Sequence, residues 1–165
     1  MSSFKTLRLI LGDQLNHNHS WYSTQDPSVL YVLAELHQET NYVRHHIQKI
    51  CGFFAAMAAF ADHLKANGHQ VLHLNLDETV EFSDLNGLIN HLTNKYSIGT
   101  FEYQQPDEYR LSQQLQSLDL DSEISVSCHD SEHFLLTNEE LKQYLNPKKH
   151  NRMESFYRKM RKRFH

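Results

Sequence analysis

The sequence predicts an α/β protein: a Rossmann-like open parallel sheet of five strands with helices on both faces, followed by a C-terminal helical extension. Three observations carry that reading. Short, mostly apolar runs, LRLIL at 7–11 and VLYVLA at 29–34, have the length and composition of strands buried on both faces. Longer segments with apolar residues three and four apart alternate with such runs, as amphipathic helices do. The alternation is regular and without an internal repeat, and right-handed crossovers turn such a chain into one sheet covered on both sides. At 165 residues and 39% hydrophobic, the chain is long enough for a single core and too short for two full ones.

The elements follow in order. After the first strand, residues 16–27 are polar and turn-rich, and Asp26-Pro27 closes a loop before the second strand. From His45 to Asn67, Ile47, Ile50, Phe53, Phe54, Met57, Phe60, Ala61 and Leu64 describe one inward face of a long helix, which Gly68 ends. Residues 70–76 read as a third strand, and 82–96 as a helix with Leu85, Leu88, Ile89 and Leu92 along one side. Residues 100–103 read as a fourth strand, 107–118 as a helix with Tyr109, Leu111 and Leu115 along it, and 123–127 as a fifth strand. Beyond Cys128 the rhythm breaks. Thr137-Asn138-Glu139-Glu140 has the form of a helix start with acids in its first turn, and the segment stops near Pro147. Residues 153–164 form a cationic helix with a stripe of Met153, Phe156, Tyr157, Met160 and Phe164.

Charge marks a boundary in the same region. Residues 148–165 carry eight Lys/Arg against Glu154, a balance of +7, which leaves −11 for residues 1–147 out of the total of −4. The organisation expected is therefore an α/β domain over residues 1–136 and a helical linker over 137–165. A basic helix of this kind meets nucleic acid, an acidic partner surface or water. Its apolar stripe seeks cover from a partner domain or from a second copy of the chain, as a homodimer. No run approaches the ~20 apolar residues needed to span a bilayer, and the first residues lack the features of a signal peptide. With two isolated cysteines, Cys51 and Cys128, the expectation is a cytoplasmic protein without a membrane partner.

Ligands of open α/β sheets bind beyond the carboxyl ends of the strands, where strand order reverses. Three loops qualify. Gly12-Asp13-Gln14-Leu15 follows the first strand, where glycine permits close backbone approach; the plainer reading is a turn with a helix-capping Asp. Residues 35–46 concentrate Glu35, His37, Gln38, Glu39, Asn41, Tyr42, His45 and His46, and residues 104–110 follow the fourth strand. Carboxylates and imidazoles at that density are metal-ligand types, but neither His45 nor His46 has a partner at i+4, as an H-E-x-x-H site requires. No metal is expected. Neither G-x-G-x-x-G nor G-x-x-x-x-G-K-[ST] occurs, so phosphate-loop binding of NAD or ATP is excluded as a device, and no nucleophile elbow is present. Thirteen scattered histidines are read as surface residues, and no catalytic residues are assigned.

Five blocks, LRLILGDQL, then NYVRHHIQKICGFFAAMAAFADHLKANGHQV, QPDEYR, HFLLTNEEL and MESFYRKMRKR, resemble in order the N-terminal part of the deoxyribodipyrimidine photolyase-related proteins. These form the bacterial iron-sulfur branch of the photolyase and cryptochrome superfamily. The resemblance implies a light-harvesting antenna domain, joined in the full-length protein to a helical domain that binds FAD and a [4Fe-4S] cluster and repairs (6-4) photoproducts in DNA. That catalytic half is expected outside these 165 residues, and the chain alone is expected to catalyse nothing. The alternative is a non-enzymatic scaffold whose basic tail docks a helical domain or DNA. The antenna chromophore implied is 6,7-dimethyl-8-ribityllumazine, with Gly12, Asp13, Gln14, Glu39, Tyr42 and Phe53 at the positions of its binding residues. At Phe53 the family carries a smaller aliphatic residue, and a phenyl ring there either stacks on the lumazine or occupies its place.

Overall fold

A computed structural model describes residues 4–164. Contacts separate two compact units, Met1–Ser131 and Glu132–His165.

The first unit is built on five parallel strands: β1 (Thr6–Leu9), β2 (Val29–Ala34), β3 (Gln70–Leu74), β4 (Thr100–Gln104) and β5 (Ser125–His129). They lie in the order β3-β2-β1-β4-β5, so the chain winds outward in one direction from β1, returns, and winds outward in the other. The connections carry helices α1 (His37–Asn41), α2 (Ile47–Ala66), α3 (Leu85–Tyr96) and α4 (Tyr109–Gln116). This is the α/β arrangement the sequence predicts.

Register sorts the strand residues onto two faces. Leu7 pairs with Leu30 and Phe101, and Leu9 with Val32 and Tyr103. These six point to one side, where α3 adds Leu85, Leu88, Ile89 and Leu92 and α4 adds Leu115. Val29, Tyr31 and Leu33 alternate to the other side and meet Met57, Phe60, Ala61 and Leu64 of α2.

Helix α2 differs from its sequence pattern in an informative way. Its twenty residues measure about 30 Å at 1.5 Å per residue, whereas the six of β2 reach only about 20 Å. The helix therefore overhangs the carboxyl ends of the strands by roughly two turns. Only its C-terminal half is buried; Ile47 is 66% and Phe53 42% exposed, although their spacing places them on the same stripe. The helix starts at His46, whose Nδ1 accepts from Gln48 N at 3.2 Å. It closes with the paired bonds Gly68 N to Lys65 O (2.9 Å) and His69 N to Leu64 O (3.1 Å), a geometry that places Gly68 at φ +84°.

The α2 side of the sheet also carries a half-buried charged pair. Arg8 on β1 donates from Nε to Glu102 on β4 at 2.7 Å and from Nη1 to the Tyr31 hydroxyl at 3.0 Å. Tyr31 in turn donates to the Trp21 carbonyl at 2.7 Å, and the Trp21 ring lies 4.9 Å from the guanidinium. Burial alone would lower the Arg8 pKa, but the bonds to Glu102 and Tyr31 hold it above its usual value. Trp21 belongs to a short 3-10 turn, Ser20–Tyr22, started by the His19 side chain.

In the second unit, α5 (Asn138–Tyr144) begins at a capping box: Glu140 N donates to Thr137 Oγ1 at 3.2 Å, and Thr137 N to Glu140 Oε2 at 3.1 Å. Helix α6 (Met153–Phe164) buries none of its residues. Arg163 pairs with Glu140, Phe156 meets Tyr144 edge-on at 6.3 Å, and Met153, Tyr157 and Phe164 are exposed. Among the described residues no helix is long and apolar enough to cross a membrane.

Two predictions follow from the α2 side of the sheet. Removing one partner of the Arg8–Glu102 pair, as in Glu102→Ala, should cost about 2–3 kcal/mol in denaturant unfolding, because the other charge is left poorly solvated. Replacing both with apolar residues should recover most of that loss. The second concerns His69, packed 5.3 Å from Tyr31 and 5.9 Å from Tyr22. Burial, reinforced by Arg8 and His63, lowers its pKa below the ordinary value. The unfolded chain then binds the extra proton, so this stabilisation is complete above about pH 6.5 and drains away as pH falls below it. Thermal melts from pH 7.5 to 5 should show a shallower decline for His69→Phe than for the unaltered chain.

Candidate functional site

Strand order reverses between β1 and β4, and the loops leaving their carboxyl ends part there. Gln14 spans the gap. It is 1% exposed, and its Nε2 donates to the carbonyls of Gln104 and Gln105, both at 3.2 Å, while Oε1 accepts from Leu11 N at 3.2 Å. The amide is fully used in tying the β1 turn to the end of β4. Of the six residues marked in the sequence, Gln14 is the one that does not reach the cleft described next.

That cleft, about 200 Å³, opens beyond the ends of β1 and β2 under the overhang of α2. Gly12, Asp13, Glu39, Tyr42 and Phe53 all line it. Gly12 forms its floor by necessity: a Cβ there would lie 3.0 Å from Met57 Sδ and 3.3 Å from Phe53 Cδ1. The residue lets α2 approach the first strand, and it brings the Phe53 ring against the loop backbone. Leu9, Leu11, Leu36, Ile50, Phe54, Met57 and Leu111 make the remaining surface largely apolar. Phe53 is half-exposed here because it lies on the overhang rather than over the strands.

The rim is polar and organised around Arg110, which the sequence reading did not single out. Its Nη2 donates to Glu39 Oε2 at 2.8 Å and its Nε to Glu108 Oε1 at 2.9 Å, and its guanidinium lies 4.2 Å from the centre of the Tyr42 ring. One cation thus fixes a carboxylate from α1, a carboxylate from the β4–α4 loop and an aromatic wall. Burial would lower the Arg110 pKa, but the two carboxylates raise it well above its usual value. Gln38 completes the scaffold. Its amide exchanges bonds with Gln114 of α4 (2.7 and 3.0 Å), and its Oε1 accepts from Leu85 N at the start of α3.

Glu35, which the sequence places in the second candidate loop but which is not among the six residues the resemblance marks, lines the cleft and is 8% exposed. Its Oε2 accepts from Leu76 N at 3.2 Å, and Oε1 is 3.3 Å from His73 Nε2. On the opposite rim, Lys49 Nζ stands 3.4 Å from His45 Nδ1 and 5.9 Å from the centre of the Phe53 ring. The residues missed were legible only as members of polar loops. Arg110 lies in the QPDEYR block, but nothing in its spacing announces that Glu39, 71 positions away, is its partner. Among the described residues no group of three or more His, Cys, Asp or Glu side chains is placed to hold a metal ion.

The cleft is apolar inside, polar at the rim and beyond the carboxyl ends of the strands, the usual place for small-molecule sites in open α/β sheets. Similarity to known proteins agrees with the fold's setting. A (6-4) photolyase from Agrobacterium fabrum (strain C58) is 28% identical to this chain over 158 residues, which make up 95% of the chain and 31% of that protein. The chain therefore spans about a third of the relative it matches. The family model of the deoxyribodipyrimidine photo-lyase-related proteins matches residues 8–165, and the chain belongs to that family.

Proposed function

We propose that residues 1–136 are a light-harvesting antenna domain that holds 6,7-dimethyl-8-ribityllumazine, or a flavin-like ring, in the cleft under α2. Residues 137–165 are the linker toward a helical domain that carries FAD, a [4Fe-4S] cluster and the DNA-repair activity. The observation that supports this most is the cleft itself: five of the six residues that resemblance marks for the chromophore converge on it from three separate segments. Its volume is below the ~300–1,000 Å³ usual for drug-sized ligands, which suits a compact ring with its polyol chain at the open side better than a dinucleotide.

The residues fit a ribityllumazine chemically. Tyr42 and Phe53 offer aromatic faces, and Glu39, Glu108 and Glu35 offer acceptors to ribityl hydroxyls. Phe53 is read as a wall and not as a plug, because its ring packs against Gly12 at the floor of the cleft and the residue stays 42% exposed. The chromophore would absorb light and pass the excitation to FAD. By contrast, a [4Fe-4S] cluster takes four cysteines, and this chain has only Cys51 and Cys128, both exposed. In this reading the cluster, the flavin and the contact with DNA are carried by the helical domain of the full-length protein. Helix α6, basic and with Met153, Tyr157 and Phe164 uncovered, suits docking to that helical domain or, without it, to a second copy.

Adding the lumazine to the purified chain should shift its visible absorption and fluorescence with saturable binding; an unchanged spectrum at millimolar ligand would remove the antenna reading. Tyr42→Ala and Phe53→Ala should each weaken binding by about two- to tenfold, the worth of one aromatic contact. Gly12→Val should abolish it by driving Phe53 and Met57 into the cleft. Gln14→Leu should behave differently, lowering stability by about 2 kcal/mol through the lost bonds to three backbone groups. Parallel denaturant and ligand titrations separate the two kinds of residue.

A further inference from the structure

Thirteen histidines are scattered along the sequence, yet the fold gathers four of them at one connection, residues 16–27 between β1 and β2. His17 and His19 belong to the connection itself, His63 to α2, and His69 to the turn before β3. Two of the four are not surface residues: His19 is 2% and His69 6% exposed.

His19 is held in one protonation state by its partners. Its Nδ1 accepts from Trp21 N at 3.1 Å, the bond that starts the 3-10 turn, and its Nε2 lies 2.9 Å from the Asp130 carbonyl, which can only accept. A neutral ring with its proton on Nε2 satisfies both. A second proton would have to sit on Nδ1, facing the Trp21 N–H, and the turn would lose its cap. The other three rings meet nearby. His17 packs on Phe60 at 4.8 Å and on His63 at 4.2 Å, and His69 lies 5.9 Å from Tyr22. His17, His63 and His69 line one polar recess with Gln25 and Asn67, and among the described residues no carboxylate lines it.

The charged groups around the connection sort by their effect on a proton. Arg8 on β1 and His63 on α2 both oppose one on His69. Asp62, beside His63, is 3.8 Å from Lys65, Asp26 accepts from Ser28 N and Oγ, and Glu102 is taken by Arg8. A fifth histidine, His129 on β5, behaves oppositely. It lies 5.5 Å from Trp21 and 3.6 Å from Glu102 Oε1, and so gains a partner when protonated.

We infer that residues 16–25 form an acid-released strap, seated on α2 and over Arg8 while His17, His19, His63 and His69 are neutral, and detaching as these take up protons below about pH 6.5. Any group that binds its proton better in the detached form drives detachment as pH falls. Here uptake removes the cap of the 3-10 turn and sets like charges side by side in the recess. The ends of the strap are fixed by other means: the Gln14 side chain bonds to Gln104 O and Gln105 O on one side, and the Asp26–Ser28 turn leads into β2 on the other. Opening therefore stops at those ends and leaves the sheet folded. The inference is independent of what the cleft under α2 binds.

Hydrogen exchange of the whole chain, read by mass spectrometry at about pH 7.5 and about pH 5.5 and corrected for intrinsic rates, tests this. Protection over residues 16–25, including the Trp21 and Tyr22 amides, should fall at least about tenfold between the two, the worth of one pKa unit. The amides of β1, β2 and β4 should remain far better protected than the strap at both values. His19→Asn keeps an acceptor for Trp21 N that does not titrate, and should remove most of the fall. His17→Phe, which keeps a ring on Phe60, should reduce it, and His129→Phe should not. Unchanged protection of the strap overturns the inference. Exchange of strap and strands at one common rate at the lower pH, which marks global unfolding, overturns it as well, and so does a fall that persists in both His19→Asn and His17→Phe.

Discussion

The arrangement of the site depends on a single buried amide. Where the winding of a parallel sheet reverses, the loops on either side have no ladder to hold them together, and the crevice that results would close or gape without a tie. Gln14 supplies it, with Nε2 shared between the carbonyls of Gln104 and Gln105 and Oε1 on the amide of Leu11. Because those partners sit on both sides of the reversal, the β1 turn is fixed relative to β4. Gly12 and Asp13 then face the cleft in a set position. The same tie orients the start of the β4–α4 loop, from which Glu108 and Arg110 build the rim.

A second constraint is one of length. A crossover helix of twenty residues cannot be matched by strands of four to six, and the surplus must project past one end of the sheet. Here it projects past the carboxyl ends, where the reversal lies, so the overhang becomes a wall of the cleft. Its amphipathic stripe serves two purposes along one helix: Met57, Phe60, Ala61 and Leu64 close the core, while Ile50, Phe53 and Phe54 line a recess. The Arg8–Glu102 pair marks the other limit of the helix's reach. On that part of the sheet the cover comes from Trp21, whose ring tolerates a guanidinium beneath it.

This explains what the sequence disclosed and what it withheld. Strand β2 and helix α6 have the bounds their patterns imply, because a fully apolar run and a sharply amphipathic one leave little room for choice. Strand β1 ends at Leu9, earlier than its apolar run, since Ile10 still bonds to Val32 while Leu11 already begins the Gln14 turn. Helix α1 escaped notice: five residues with no side-chain cap carry no periodicity to read. Phe53 was legible as apolar but not as half-exposed, because spacing reports which face a residue occupies and not whether anything lies opposite. Gln14 and Arg110 were harder still. A glutamine in a loop and an arginine before a helix acquire their roles only from partners far away in sequence, and a single sequence contains no record of those distances.

The charge distribution around the cleft has a further physical consequence. Arg110 does not neutralise the site so much as organise it, since one guanidinium between Glu39 and Glu108 leaves a net negative charge while fixing both carboxylates and the Tyr42 ring in place. A rim built this way is held in place by its own ion pairs and presents fixed acceptors to hydroxyl and N–H donors.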